Sequence, residues 1–283
     1  TYTPAELGQG DLGRSEISSR YISAALKEIE GAGRELTSSS IGKSEVASIF
    51  FGGGTPSLMD PSDIARVIAL IKKEFGLEKE CEITLEANPD TLDRSNLAGF
   101  VDAGVNRLSM GVQSADAGVL ATLDRTHRSE NVSSAMEIAR ELGITSLSAD
   151  LIYGTPGESM EALEKSIDFA LSLPINHLSA YALIVEPGTK LAREVEKGEI
   201  AQPDDDEMAV KYELIDDRLS ESGFDWYEVS NWAKSGGACR HNLNYWHGGN
   251  WWGVGPGAHS HLAGKRWWNI KSPLAYIDAQ TKG

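Results

Sequence analysis

The sequence predicts an α/β protein of parallel strand–helix repeats, closed as a β/α barrel. Three observations predict it. Apolar strand-like runs alternate with helix-like segments, nearly every run ends on polar or charged residues, and the first ends in three consecutive glycines. Strands alternating with helices mean parallel βαβ units with right-handed crossovers.

The first run, Val46–Phe51, is β-branched and aromatic and leads into Gly52-Gly53-Gly54-Thr55-Pro56. Glycines at the carboxyl end of a buried strand let backbone N–H and C=O groups approach a small polar ligand, in conformations a Cβ forbids. Pro56 restricts Thr55 to extended geometry. Taken alone, the join also suits a tight βα turn. A helix over Pro61–Phe75 is indicated by the spacing of Ile64, Val67, Ile68 and Ile71, with Asp60 as its N-cap. Residues 82–86 form the next strand. Residues 92–103 form the next helix, opened by Asp90-Thr91 and closed by Gly104. The alternation continues with strands at 107–112, 146–152 and 177–183 and helices at 130–142, closed by Gly143, and 160–173. Asp204-Asp205-Asp206-Glu207 precedes an apolar-periodic stretch through Leu219 and reads as acids at a helix N-terminus, favoured by the macrodipole.

The polar strand ends decide between a barrel and an open sheet. Gly52 to Thr55, Glu86-Ala87-Asn88, Gln113, Asp150 and Tyr181 close successive runs. Charged residues are almost never buried unpaired, so these converge at one solvent-accessible mouth. The carboxyl end of a β/α barrel is such a mouth. An open sheet would gather its ligand contacts at one switch point.

At 283 residues the chain suits one barrel-sized domain plus an appendage. The net charge of −16 argues against non-specific nucleic-acid binding. No apolar run approaches membrane-spanning length and no signal-peptide pattern opens the chain, so a soluble cytoplasmic protein is expected. Cys81 and Cys239 read as packed free thiols, too few to hold a metal cluster by themselves. From residue 224 the texture changes, and the expected division is 1–223 for the barrel and 224–283 for an aromatic extension. All seven tryptophans lie between Trp226 and Trp268, with His241, His247, His259 and His261 among them and glycines throughout. Such a segment is either a cap over the barrel or a site for a large flat apolar ligand, where rings stack and a histidine holds a metal. Residue types alone leave both open.

Six segments, FFGGGTPSLM, ITLEANPDTL, NRLSMGVQSADAGVLATLDRTH, ADLIYGTPGES, HLSAYALIVEPGTKL and CRHNLNYW, carry a resemblance that runs essentially end to end. In this order they resemble the HemW heme chaperones, a radical SAM family similar to oxygen-independent coproporphyrinogen III oxidase. The resemblance implies a partial (β/α)6 barrel holding S-adenosylmethionine against a [4Fe-4S] cluster. It implies that Gly53, Gly54 and Thr55 receive the amino and carboxylate groups of the methionine moiety. Glu86, Gln113, Arg125 and Asp150 match further S-adenosylmethionine contacts, and Ile184 a position lining the adenine. The chemistry suits them: carboxylates accept from hydroxyls or an amino group, an amide does both, and arginine pairs a carboxylate. Glu86 and Asp150 also suit the sulfonium charge. The radical SAM cluster loop, C-x3-C-x2-C, has no counterpart here. Its cysteines are expected upstream of Thr1, because Thr1-Tyr2-Thr3-Pro4 looks like the residues just after that loop in the family. The first strand and the family's small C-terminal domain are likewise expected to be missing.

Two functions diverge within this resemblance. An oxidase would generate a 5′-deoxyadenosyl radical and decarboxylate the propionates of coproporphyrinogen III to vinyls. A chaperone would bind heme and pass it to an acceptor protein of unspecified identity. His241-Asn242-x-x-Tyr245-Trp246 resembles the HNxxYW heme-binding motif of the chaperones, which favours that reading, with His241 as candidate iron ligand and Tyr245 and Trp246 as ring contacts. A third reading, an unrelated barrel enzyme binding phosphate at the glycine loop, lacks a partner loop and explains none of the six segments.

Overall fold

A computed structural model describes residues 14–39 and 41–282. The opening Thr1-Tyr2-Thr3-Pro4 lies outside the described residues. The described residues open with α1 (Arg14–Ser38), β1 (Val46–Phe51), α2 (Pro61–Phe75) and β2 (Leu77–Ala87). Next come α3 (Arg94–Ala103), β3 (Arg107–Gln113), α4 (Ala117–Thr122), α5 (Ser129–Glu141), β4 (Ser146–Tyr153), α6 (Met160–Ser172) and β5 (His177–Ala182). The remainder is α7 (Lys190–Glu196), α8 (Asp205–Glu221), β6 (Asp225–Glu228), β7 (Asn231–Ala233), α9 (Arg240–Trp246), β8 (His259–Leu262), β9 (Lys265–Trp268) and α10 (Pro273–Lys282).

Part of the punctuation that predicts these elements has a direct structural counterpart. Asp60 caps α2 by accepting from the Ser62 N–H, and Gly76 closes that helix at φ 80°. Asp204 caps α8 by accepting from the Glu207 N–H. Asp90-Thr91 does not cap α3. Asn88 instead caps a short 3-10 turn at Pro89–Thr91, and α3 opens where Asp93 and Asn96 exchange backbone-to-side-chain hydrogen bonds. The Asp90 carboxylate accepts from Thr126 Oγ1 and Asn131 Nδ2.

The chain forms two compact units. One comprises the described residues through Thr84 together with Asp102–Val105 and everything from Arg240 onward; the other comprises Leu85–Val101 and Asn106–Cys239. Compactness therefore groups the aromatic C-terminal segment with the amino-terminal helices, whereas the change in composition falls at residue 224.

In the second unit β3, β4 and β5 run parallel, followed by β7 and β6 in antiparallel pairing. Leu108, Met110, Val112, Leu147, Ala149, Leu151, Leu178 and Ala180 are buried along these strands. Against them lie the buried faces of α5 (Val132, Ala135, Met136, Ala139) and α6 (Leu163, Ile167, Ala170). Each such leucine or isoleucine stabilises by about 1.5–3 kcal/mol relative to exposure. The loop after β4 is tied by Glu158, which accepts from the Gly154 N–H and pairs with the buried Lys211 at 3.1 Å. Removal from water raises the Glu158 carboxyl above the ordinary range, against the pull of Gly154 and Lys211.

In the first unit α1 packs on α2 and on α10, with Ala24, Tyr276, Ile277 and Tyr21 forming the α1–α10 contact. Helix α1 is not among the elements that the sequence pattern predicts. Its serines and its two glycines, Gly31 and Gly33, give weak local propensity, and Ile22, Ala25, Ile29 and Ala32 hold it through burial. Glu28, buried on α1, accepts from the Gly255 N–H (2.9 Å), Asn269 Nδ2 (2.6 Å) and Tyr276 Oη (2.5 Å). Three donors make a buried carboxylate tolerable and fix the loop that leads into β8. Among the described residues no helix is long and apolar enough to cross a membrane.

Candidate functional site

The glycine loop of the first unit leaves β1 at Gly53 (φ 79°) and Gly54 (φ 69°), a backbone region that favours glycine. A Cβ built at either position meets no atom within 4 Å, so the loop lies against open space. Thr55 has φ −140° and ψ 83°, short of the extended geometry expected before a proline, and a 3-10 turn begins at Pro56.

The same unit carries the HNxxYW motif on α9. The Glu82 carboxylate accepts from the Arg240 N–H (3.0 Å) and the His241 N–H (3.1 Å), capping the helix with a full negative charge. The Arg240 side chain bonds Glu78 (2.9 Å) and the Glu80 carbonyl, which holds α9 to the start of β2. Both ring nitrogens of His241 are engaged, Nδ1 with Ser48 Oγ at 3.0 Å and Nε2 with Tyr245 Oη at 2.8 Å. The His241 ring stacks on Phe50 at 4.9 Å. Aromatic contact continues from Tyr245 to Trp251 (4.6 Å) and from Trp251 to His261 (4.8 Å). Asn242 is half-buried beside His241 on the helix. In front of this row lies an open cleft of about 490 Å³ lined by Tyr245, Trp246, Trp251, His259 and Arg266. Trp246 is 59% exposed, an unusual position for a ring of that size. His259 and Arg266 are not among the site residues expected from the sequence; their signal is weak, a histidine and an arginine inside a tryptophan-rich hairpin.

The second unit positions Asp150. Ser109 Oγ donates to its carboxylate (2.9 and 3.0 Å to the two oxygens), as does Ser148 Oγ (3.1 Å). Burial raises the Asp150 carboxyl above the ordinary aspartate range, while the hydroxyls of Ser109, Ser179 and Ser148 and the Arg107 guanidinium pull it back. Behind Ser148 runs a buried relay. Ser148 Oγ lies 2.8 Å from His177 Nδ1, and His177 Nε2 lies 2.7 Å from Tyr227 Oη. Burial, and then Arg107, depress the His177 pKa well below its usual value, so the ring is neutral. With Ser148 donating to Asp150, His177 Nδ1–H donates to Ser148 and its Nε2 accepts from Tyr227, which gives a single direction of donation ending on Asp150. Sequence reasoning singles out Asp150 but none of these supports. Their trace is a row of serines, Ser109 opposite Ser148 and Ser179 opposite Asp150, inside otherwise apolar strands.

Gln113 ends β3 at φ 62°, beside a register shift after Gly111. A non-glycine residue held there costs about 1–3 kcal/mol and persists where surrounding structure over-determines it. The Val112 carbonyl accepts from both the Ser114 N–H and the His127 ring at 2.8 Å, which supplies that constraint. A Cβ on Gly111, the residue opposite Asp150, would lie 2.7 Å from Gln113 Nε2. Glu86 is half-buried at the end of β2. Arg125 is exposed and forms no ion pair among the described residues. Ile184 is 72% exposed.

Cys81 and Cys239 are buried and outside any disulfide, and among the described residues no cluster of three or more His, Cys, Asp or Glu side chains is arranged to hold a metal. Two cysteines do not make the thiolate set of a [4Fe-4S] cluster, so the cluster does not fit the residues of this chain.

Residues 28–170 match the radical SAM superfamily. The chain is 46% identical over 278 residues to the heme chaperone HemW of Mycobacterium tuberculosis, covering 98% of this chain and 68% of that protein. It is 37% identical over 266 residues to the heme chaperone HemW of Bacillus subtilis, covering 94% and 69%. The solved coproporphyrinogen III oxidase HemN of Escherichia coli, a radical SAM enzyme, aligns with a TM-score of 0.79 at 22% identity, over 94% of this chain and 62% of that one. That likeness shows the fold, a partial β/α barrel of the radical SAM type. The chain thus spans about two thirds of the length of the curated relatives and less of the oxidase.

Proposed function

Because this chain belongs to the HemW family of radical SAM proteins, we propose that it is a cytoplasmic heme chaperone, which binds heme and transfers it to an acceptor protein. The observation that carries this reading is the cleft of the first unit. A planar apolar ring needs aromatic walls and a polar rim, and Tyr245, Trp246, Trp251, His259 and Arg266 offer both. Of the motif residues, Tyr245 and Trp246 line the cleft and His241 touches it through Tyr245; we take His241, Asn242, Tyr245 and Trp246 together as the heme motif. The division into a barrel (1–223) and an aromatic extension (224–283) is part of the same proposal, with the extension bearing the heme motif.

The family implies S-adenosylmethionine as a cofactor, and the open space beside Gly53 and Gly54 supports that reading. In the first unit Gly53, Gly54 and Thr55 would receive the amino and carboxylate groups on backbone edges. In the second unit Glu86, Gln113 and Asp150 would accept from the amino group or ribose hydroxyls, with the Asp150 charge offsetting the sulfonium. Arg125 would pair the carboxylate and Ile184 would lie along the adenine. When bound, the nucleotide supplies a cationic sulfonium and an adenosyl carbon. Coproporphyrinogen oxidation is the alternative, and its support is the fold likeness alone.

The test is a titration of ferric heme into this chain. The expected result is a saturable Soret band distinct from that of free heme, at one heme per chain, and no protoporphyrinogen formed from coproporphyrinogen. A Soret spectrum indistinguishable from free heme at every ratio rejects the chaperone reading.

A further inference from the structure

We infer that His259 is the iron ligand and Arg266 the propionate partner of the bound heme, with His241 a positioning residue that orients Tyr245. The inference rests on the chaperone reading and assigns roles within its cleft.

The argument begins with hydrogen bonds. His241 has a partner on each ring nitrogen, Ser48 and Tyr245, and a stacked neighbour in Phe50. Ligating iron through either nitrogen would leave a hydroxyl without its partner, a cost that falls on a half-buried site. His259 differs on each count. It is exposed, it lines the cleft, and its ring nitrogens have no hydrogen-bond partner among the described residues. Its ring lies 5.8 Å from Trp268, which fixes a plane without occupying a nitrogen.

Strand register supplies the second step. In the β8–β9 hairpin His259 pairs with Trp268 and His261 with Arg266. Residues paired across strands share a face, and so do residues two apart on one strand, so all four side chains leave the same side. Ser260, on the opposite side, is fully buried and accepts from the Gly253 N–H. Arg266 is therefore the diagonal neighbour of His259, roughly 7–8 Å away at the backbone. A metalloporphyrin spans such a separation between its central iron and a propionate at its edge.

Charge gives the third. Arg266 forms no ion pair among the described residues, in a chain whose net charge is −16. A planar guanidinium beside an aromatic cleft suits a carboxylate on the rim of a flat ligand. His261 is the competing ligand, but its Nδ1 is tied to the Gly249 carbonyl at 2.8 Å, its ring packs on Trp251, and it does not line the cleft.

The experiment compares ferric-heme titrations of the unaltered chain with His259→Ala, His261→Ala, His241→Ala and Arg266→Ala. The expected result is loss of the protein-bound Soret signature in His259→Ala and its return on adding imidazole. His261→Ala and His241→Ala should keep the signature, the latter with weaker affinity. Arg266→Ala should bind heme about tenfold more weakly, and heme dimethyl ester as well as the unaltered chain does. If the unaltered chain shows no protein-bound signature, the chaperone reading itself falls. If it shows one that survives His259→Ala, or that His259→Ala abolishes without rescue by imidazole, the reading stands and the ligand assignment is overturned.

Discussion

At Asp150, charge and burial oppose each other. Its carboxyl is raised by desolvation despite hydroxyls on two sides. A carboxyl whose folded-state pKa exceeds its unfolded value destabilises the fold as pH climbs from about 3.9 through the raised value, and the loss is complete above it. Asp150→Asn removes the charge and keeps an oxygen for Ser148 and Ser109. We expect it to raise the melting temperature at pH 7 by about 2–4 °C, the equivalent of roughly 1 kcal/mol in a chain of this size. The gain should fade as the pH falls through and below the unfolded value of about 3.9. Because the substitution leaves His177 in place, the titration of that residue cancels in the difference. Thermal melts of both proteins across this range check it, and a melting temperature at pH 7 equal to or below the unaltered chain's would contradict the assignment. The same variant should bind S-adenosylmethionine more weakly, a trade of affinity for stability expected where a charge is kept for a ligand. Asp150 was legible in the sequence because a charge stands out in an apolar run, although the structure places it inside β4 (Ser146–Tyr153) and not at the strand's end. Ser148, His177 and Tyr227 were not, since each is an ordinary residue until the fold brings them within hydrogen-bonding distance.

Among the elements, α9 shows how a seven-residue helix can be held firmly enough to present a site. Helices this short are marginal alone. Glu82 takes two of its N-terminal donors and Arg240 ties it to β2. Removing the carboxylate in Glu82→Ala should cost about 0.5–2 kcal/mol, the usual range for losing a cap. Amide exchange at Arg240 and His241 should accelerate, and heme affinity should fall while the coordination spectrum stays the same. Unchanged exchange at those two amides would mean that packing on Phe50, and not the cap, holds the helix. The contrast with α1 explains what the sequence revealed of the elements. Where apolar period and cap agreed, as at Asp60 before α2, the bounds were readable to the residue. In α1 the serines and glycines hid a helix that tertiary burial sustains. At Asp90 a good capping residue was present, but its carboxylate was already engaged by Thr126 and Asn131.

For the molecule as a whole, two kinds of chemistry have unequal means in these 283 residues. The heme cleft is lined entirely by side chains of the first unit. The aromatic texture that marks it was visible in the sequence, whereas its His259 and Arg266 rim depends on a hairpin register that composition does not encode. The cluster stands differently, because this chain holds two cysteines and both are buried. Iron–sulfur clusters are held by thiolates, and burying a thiol away from cationic partners raises its pKa and keeps it protonated. Cys81 follows that rule, with desolvation lifting its thiol above the ordinary range and Arg240 only partly offsetting it. Heme binding by this chain should therefore be independent of any cluster. Anaerobic incubation of the chain with iron and sulfide, followed by desalting, should leave no broad absorption near 400 nm and no stoichiometric iron. The dissociation constant for heme, measured before and after that treatment, should agree within about twofold, well inside the tenfold that 1.4 kcal/mol represents. Retention of roughly four irons per chain, as a [4Fe-4S] cluster requires, would show that these residues assemble a cluster after all. A heme affinity that appeared only after such loading would show that the cleft depends on it.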